Sequence, residues 1–224
     1  MSKKRRIGTA LTAAETRWGF VYLLVELFAL PSLTPGITVF GLAFMTLFSA
    51  TLIARDRETS FLQRLYTTPM TAVDFVLGYT LPILPIALAQ ALLCYLTSLC
   101  LGLSWTIHIL TAVLLLLPTS LFFIALGLLC GSLFTVKQVG GLCGALLTNL
   151  TAWLSGVWFD IHLVGGAFVK IANALPFIHA VEMERAVLRG DFVGIFPHLW
   201  WVLGYTIVCF ALSVAAFLRQ MHRS

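Results

Sequence analysis

Few side chains in this sequence are able to do chemistry, and Glu26 is the most unusual of them. It is the one carboxylate well inside an apolar run, Trp18–Leu33. An ionisable group inside a membrane is costly and usually faces a bundle interior or a water path. Glu26 is therefore a candidate substrate contact or interhelical polar partner. The alternative is that this run lies at the membrane interface and that Glu26 is solvated.

The remaining reactive residues do not form the pattern of an enzyme. No two histidines stand four residues apart, which argues against an HExxH-type zinc site, and the five cysteines include no CxxC pair. Ser132 and Ser155 lack the GxSxG frame of a serine hydrolase. A GxxxxGKS or GxxxxGKT motif is also absent. We therefore predict no catalytic, metal or nucleotide site on this chain.

The composition is that of a membrane protein. Hydrophobic residues make up 60% of the 224 and charged residues only 10%, whereas soluble domains carry about 25% charge. The net charge of +5 is concentrated at the two ends, around Lys3–Arg6 and at Arg219 and Arg223. Basic flanks of this kind follow the positive-inside rule and do not indicate nucleic-acid binding. They predict that both termini are cytoplasmic.

The apolar runs predict an all-α polytopic protein whose residues 1–224 form a single transmembrane domain. Residues 1–17 read as an amphipathic segment on the cytoplasmic surface, and Pro35-Gly36 reads as a tight turn. The first run, Trp18–Leu33, is short for a transmembrane helix. The alternative is a re-entrant segment that enters and leaves the membrane on the same side. The simplest topology has six transmembrane helices, at Trp18–Leu33, Ile37–Ala54, Tyr79–Leu103, Ile109–Phe134, Val139–Phe159 and His198–Leu218.

The longest charged interruption, residues 55–78, predicts a cytoplasmic loop with a short amphipathic helix. Asp56 reads as its N-cap, with Glu58 in the first turn, and Pro69 ends it. Thr71 and Asp74 then form a capping box that starts the next helix. An apolar face exposed to the cytosol indicates docking of a partner, although it can also pack on its own bundle or the bilayer. That face consists of Phe61, Leu62, Leu65 and Tyr66.

An extracytoplasmic segment, residues 160–197, precedes the last span. It predicts a short amphipathic helix lying at the outer surface, with Gly190 as its C-cap. The apolar stripe consists of Val181, Met183, Ala186 and Val187, and the polar side of Glu182, Glu184, Arg185 and Arg189.

Three of these stretches resemble the permease subunits of ABC transporters of the ABC-2 type. Pro35-Gly36-Ile37 resembles the PGI that precedes the second span in that family. Residues 57–70 resemble its cytoplasmic stretch, which opens on Arg-Glu and closes on Thr-Pro, and residues 173–191 resemble the segment before its last span. The chain departs from the family in its compressed first span and in Tyr79, where the family has lysine after glycine.

The resemblance implies that residues 58–69 are a coupling helix that binds a separate ABC ATPase subunit. The contact residues are then Glu58, Phe61, Leu62, Leu65 and Pro69. ATP and Mg would be bound by that subunit, with no cofactor on this chain. The permease would pair with a second copy or a related chain and export an unknown substrate across a bacterial-type inner membrane.

Two other functions stay open on the residues alone. One is a proton-coupled secondary transporter that uses Glu26, since such proteins carry ionisable groups within the membrane. The other is a membrane scaffold or assembly protein without transport of its own.

Overall fold

The structure, a computed structural model, describes residues 30–59, 71–158 and 161–221. Regular structure in these ranges is entirely helical. The helices are α1 Leu30–Glu58, α2 Ala72–Cys100, α3 His108–Leu133, α4 Val136–Val139, the π-helix π1 Gly140–Leu147, α5 Thr148–Leu154, α6 Ile161–Val164, α7 Gly166–Ala174, α8 Pro176–Arg189 and α9 Phe192–Met221.

Within the described ranges, four helices are long and apolar enough to cross a membrane: α1, α2, α3 and α9. They contain the predicted second and sixth spans entirely, and the predicted third and fourth spans up to Cys100 and Leu133. The predicted fifth span is a succession of α4, π1 and α5, in which the backbone stays right-handed at both junctions. Most of the predicted first span, with Glu26, lies outside the described residues, so the count of six remains a prediction.

The predicted turn at Pro35-Gly36 is wrong, because both residues lie within α1. Pro35 lies inside the helix and removes one main-chain hydrogen bond, which is tolerated in membrane helices where neighbouring helices satisfy the freed carbonyl. Gly36 also allows a close approach: a Cβ atom there would lie 3.0 Å from the Val157 side chain. The local turn signal is overridden by this packing.

The beginning of α2 follows the predicted capping box. The Thr71 hydroxyl accepts from the Asp74 amide, and the Asp74 carboxylate accepts from the Thr71 amide at 2.9 Å. Asp56, by contrast, does not cap a new helix, since α1 continues through it to Glu58. The helix predicted to follow falls mostly on residues 60–70, which lie outside the described residues.

α1 packs most extensively against α3, and small residues bring the two helices close together. A Cβ atom on Gly127 would lie 1.8 Å from Ser49 Oγ, and one on Gly131 would lie 2.6 Å from the Ala50 carbonyl oxygen. The Thr46 hydroxyl donates to the Phe123 carbonyl across the same contact at 2.8 Å. This close packing of small residues is typical of helices associating in lipid.

The end of the bundle that holds Asp56, Arg57 and Glu58 is called the base here, and the end that holds His108 the far end. α8 lies in the far half. Phe177 in its first turn contacts the rings of Phe122 and Phe123, midway along α3. Gly190, which caps its last turn in the left-handed conformation as predicted, lies beside His108. α8 therefore descends into the bundle, whereas the sequence predicted a helix lying on the surface.

Candidate functional site

Three consecutive residues at the end of α1 bond to three other helical elements, and together we call them the base cluster: Asp56, Arg57 and Glu58. Arg57 Nη1 donates to the Gly131 carbonyl at 3.0 Å and also to the Ser132 carbonyl, both in the last turn of α3. A cation is favourable there because helix carbonyls point their partial negative charge out of the C-terminus.

The two acids of the base cluster bond to the flanking helices. Glu58 Oε1 accepts from the Val136 amide at 3.0 Å, at the first residue of α4. Asp56 Oδ2 accepts from the Tyr79 hydroxyl of α2 at 2.7 Å. The last turn of α1 is thereby attached to α2, α3 and α4 at once. All three side chains keep some contact with solvent.

Glu184 of α8 lies in a different environment, because its side chain is completely buried. The Tyr95 hydroxyl of α2 donates to Glu184 Oε2 at 3.0 Å. The other oxygen, Oε1, has no hydrogen-bond partner among the described residues. Burial raises the pKa of the Glu184 carboxyl well above its ordinary value, and the hydrogen bond from Tyr95 opposes part of that shift.

Arg185, the next residue, forms hydrogen bonds from α8 to α1 and to the segment after α5. Its Nε donates to the Ser32 carbonyl in the first turn of α1 at 3.1 Å, and its Nη2 to the Gly156 carbonyl just after α5 at 3.0 Å. Its Nη1 binds Glu182 Oε1 at 2.8 Å. With only 14% of its side chain exposed, Arg185 has its donors committed to these partners.

A pair of histidines joins α8 to α9. The Nδ1 atoms of His179 and His198 are 2.8 Å apart, and His179 Nε2 lies 2.9 Å from the Asn173 carbonyl. A carbonyl only accepts, so His179 donates through Nε2, and a neutral His179 ring then accepts at Nδ1 from His198. The Trp201 ring stacks on His179 at 5.1 Å. Within the described ranges, no group of three or more metal-ligating side chains occurs.

Residues 5–189 match the ABC-2 type transporter family, which is most of the chain. The chain belongs to the ABC-2 type transporter family. Together with the apolar helices, this membership makes it an integral membrane protein and the membrane subunit of an ABC transporter.

Two characterised relatives are similar over part of this ABC-2 chain. The capsule polysaccharide export inner-membrane protein CtrC of Neisseria meningitidis is 27% identical over 100 residues, covering 45% of this chain and 38% of that protein. Nodulation protein J of Rhizobium meliloti is 25% identical over 122 residues, covering 54% of this chain and 47% of that protein. The matches thus span less than half the length of either relative. No solved structure matches the chain.

Most of the site residues predicted for this ABC-2 permease lie outside the described residues. These are Phe61, Leu62, Leu65 and Pro69 of the coupling helix, together with Glu26. Glu58 is the one predicted contact residue that the structure describes. Its carboxylate is exposed but bonds within the chain, to the amide of Val136.

The sequence prediction placed Glu184 on the polar side of α8, and this is wrong. Residues three apart lie close together on a helix, so Glu184 falls between Val181 and Val187, which are both completely buried. The apolar stripe predicted for α8 is buried as expected: Val181, Met183, Ala186 and Val187. The three-residue spacing of Val181, Glu184 and Val187 was the sequence signal that Glu184 belongs to the buried stripe.

Proposed function

We propose that this chain is the membrane-spanning permease of an ATP-driven exporter, with a separate ATPase subunit docked at its base. Membership of the ABC-2 family supports the proposal, and so does the absence of a P-loop motif from the sequence. ATP and Mg would then be bound by the partner, and this chain would form the translocation path.

The base cluster is the observation that carries the coupling part of the proposal. The chain passes from Glu58 into residues 59–70, where we propose the coupling helix. A partner that displaces this segment pulls directly on the last turn of α1, and through its hydrogen bonds on α2, α3 and α4. ATP binding would thereby shift the populations of two arrangements of the bundle.

Within the coupling helix, we propose that Phe61, Leu62 and Leu65 form the apolar face that enters a groove of the ATPase. Pro69 ends the helix and directs the chain back to the capping box at Thr71. For Glu58 we propose a role beside the predicted contact with the partner. Its bond to the Val136 amide supports a joint between the coupling helix and α4.

The topology that fits this function has six spans, with the base and both termini in the cytoplasm of a bacterial cell. The basic residues near the base, Arg55, Arg57 and Lys137, support that orientation through the positive-inside rule. The permease would act as a dimer of two copies or with a related chain. The far end, with α8, would then face the outside.

The name of the Neisseria relative suggests a cargo to test first. That protein is described as a capsule polysaccharide exporter, so we propose a polymeric glycan as the substrate class. The glycan would be loaded from the cytoplasm.

Co-purification with candidate ATPases tests the proposal. We expect Leu62→Asp to abolish association, because it places a charge in the apolar contact, whereas the matched variant Gln63→Asp on the opposite face retains it. Arg57→Ala should retain the ATPase but lose the stimulation of its activity by cargo. Absence of any ATPase partner for the wild type, or equal association of both Asp variants, would contradict the proposed function.

A further inference from the structure

We propose that Glu184 is a proton-binding site of the transport cycle. It is protonated while α8 is packed in the bundle, and it releases its proton to water when α8 separates from α2. The protonation of the packed state rests on the geometry alone. The release step rests on the proposed function, because it requires a cycle that opens the far half of the bundle.

The first step in the argument is the environment of the carboxyl. A buried carboxylate needs a cation or several hydrogen bonds to remain ionised. Glu184 receives one hydrogen bond, from Tyr95, and its Oε1 has none among the described residues. The neutral acid leaves only an O–H group without an acceptor, which costs much less than an unpaired buried charge.

The charged and titratable groups around α8 do not supply the missing cation. On α8 itself, Arg185 is directed to Ser32, Gly156 and Glu182. Arg189 lies at the exposed end of the helix, against Glu182 at 3.6 Å.

The neighbouring elements offer no better partner. α9 contributes His198, which is engaged by His179; α3 contributes His108, which lies at Gly190; and α2 contributes Tyr95. The charged residues of α1 are in its last turn at the base, and Lys170 of α7 is exposed. Within the described residues, Glu184 is thus a carboxyl with no cationic partner.

The position of Glu184 links its proton to movement of α8. Its carboxyl reaches across to α2, and Tyr95 is the residue it meets there. When the two helices part, water enters between them and the carboxylate becomes the favoured form. The carboxyl O–H bond then breaks, the proton passes to water, and the negative charge stays on Glu184. Closure takes one proton back.

Infrared spectroscopy of the purified permease in lipid tests the protonated state directly. At neutral pH we expect the C=O stretching band of a protonated carboxyl in the wild type, and we expect Glu184→Gln to remove it. Glu182→Gln is the matched control, since Glu182 lies two residues away and is ion-paired, and it should leave the band intact. Equal spectra of the wild type and Glu184→Gln would overturn the proposal.

Proton release is measured on the complex of the permease with its ATPase, in a weakly buffered solution with a pH-sensitive dye. Addition of a non-hydrolysable ATP analogue should release about one proton per permease chain, and Glu184→Gln should abolish the release. If the ATPase binds and hydrolyses ATP but both proteins release the same number of protons, the release step is wrong and the proposed function stands. If no ATPase associates, the proposed function fails together with the release step, and the infrared result still decides whether Glu184 is protonated.

Discussion

The base cluster and two polar residues of α8, the buried Glu184 and the partly buried Arg185, both attach helices to one another, but they do so in different surroundings. Arg57 and Glu58 bond to main-chain groups at helix ends, and they remain in contact with solvent. Glu184 is completely buried and bonds to a side chain, while Arg185 is 14% exposed and holds two main-chain carbonyls. The hydrogen bonds of the base can be exchanged for bonds to water, and that of Glu184 cannot, because its side chain is completely buried.

This difference indicates which end of the bundle is suited to movement. A partly solvated hydrogen bond that breaks is replaced by one to water, so its net contribution is small. A buried polar group that loses its partner bears the full cost of desolvation. We infer that the base rearranges readily under a pull from outside, whereas α8 separates from its neighbours in one step, when water enters.

The largest effect is expected from Arg185→Ala. The substitution leaves the carbonyls of Ser32 and Gly156 without their donor inside the bundle and Glu182 without its close cation. We expect the free energy of unfolding to fall by about 3 kcal/mol, measured by thermal unfolding in detergent. Arg189→Ala is the control, because this arginine is 64% exposed and 3.6 Å from Glu182. Equal losses of unfolding free energy in the two variants would show that the bonds of Arg185 contribute no more than those of the solvated Arg189.

Gly131→Ala tests whether the base is closely packed beneath its solvated bonds. The added Cβ atom would lie 2.6 Å from the Ala50 carbonyl oxygen and 2.9 Å from Ile53 Cβ, so α1 and α3 must move apart. We expect a loss of about 2 kcal/mol in the free energy of unfolding, again by thermal unfolding. Gly78→Ala, where nothing lies within 4 Å, should be neutral or stabilising by up to about 1 kcal/mol. A base that tolerates both substitutions alike would not be closely packed.

The sequence predicted those parts of the fold that depend on neighbouring residues. The capping box at Thr71 and Asp74 and the C-cap at Gly190 are settled within one helical turn, and both are confirmed. The predicted turn at Pro35-Gly36 is equally local, but Val157, distant in the sequence, decides the outcome by packing on Gly36. Local signals are reliable only where no distant residue competes with them.

The free energy of unfolding should also depend on pH through Glu184. The folded-state pKa is raised above the unfolded value of about 4.3. In the interval between them the folded state holds more protons, so stability falls as pH rises, by up to about 1.4 kcal/mol per pH unit. The contribution is complete below the unfolded pKa and is lost above the folded one. Unfolding of the wild type and Glu184→Gln across this range measures it.

The variant should show a smaller slope than the wild type over the same interval, since glutamine does not titrate. Parallel curves for the two proteins would mean that Glu184 has an ordinary pKa in the folded state. Glu184 would then titrate like the solvated acids of the base, and the two ends of the bundle would not differ in the protonation of their carboxyl groups.

The candidate site was predictable only in part, because its bonds join residues that are far apart in the sequence. Glu58 and Val136 are 78 positions apart, and Tyr95 and Glu184 are 89 positions apart. The prediction placed Glu184 on the polar side of α8. The spacing of Val181 and Val187 could have indicated a buried position, but it would not have identified Tyr95 as the partner. The family resemblance identified Glu58 as important without indicating that its bond is internal.

The smallest change in stability, and the sharpest separation of stability from function, is expected for Arg57→Ala. The variant loses the bonds to the Gly131 and Ser132 carbonyls, which water then replaces, so we expect a loss of about 1 kcal/mol in the free energy of unfolding. Arg55→Ala, at an exposed position two residues earlier, should change it by less than about 0.5 kcal/mol. Assayed with the ATPase, Arg57→Ala should nevertheless lose most of its cargo-stimulated hydrolysis while Arg55→Ala keeps it, because Arg57 bonds to the last turn of α3 and the exposed Arg55 does not. A variant that loses stability but keeps full stimulation would show that the base cluster is structural and that force reaches the bundle by another route.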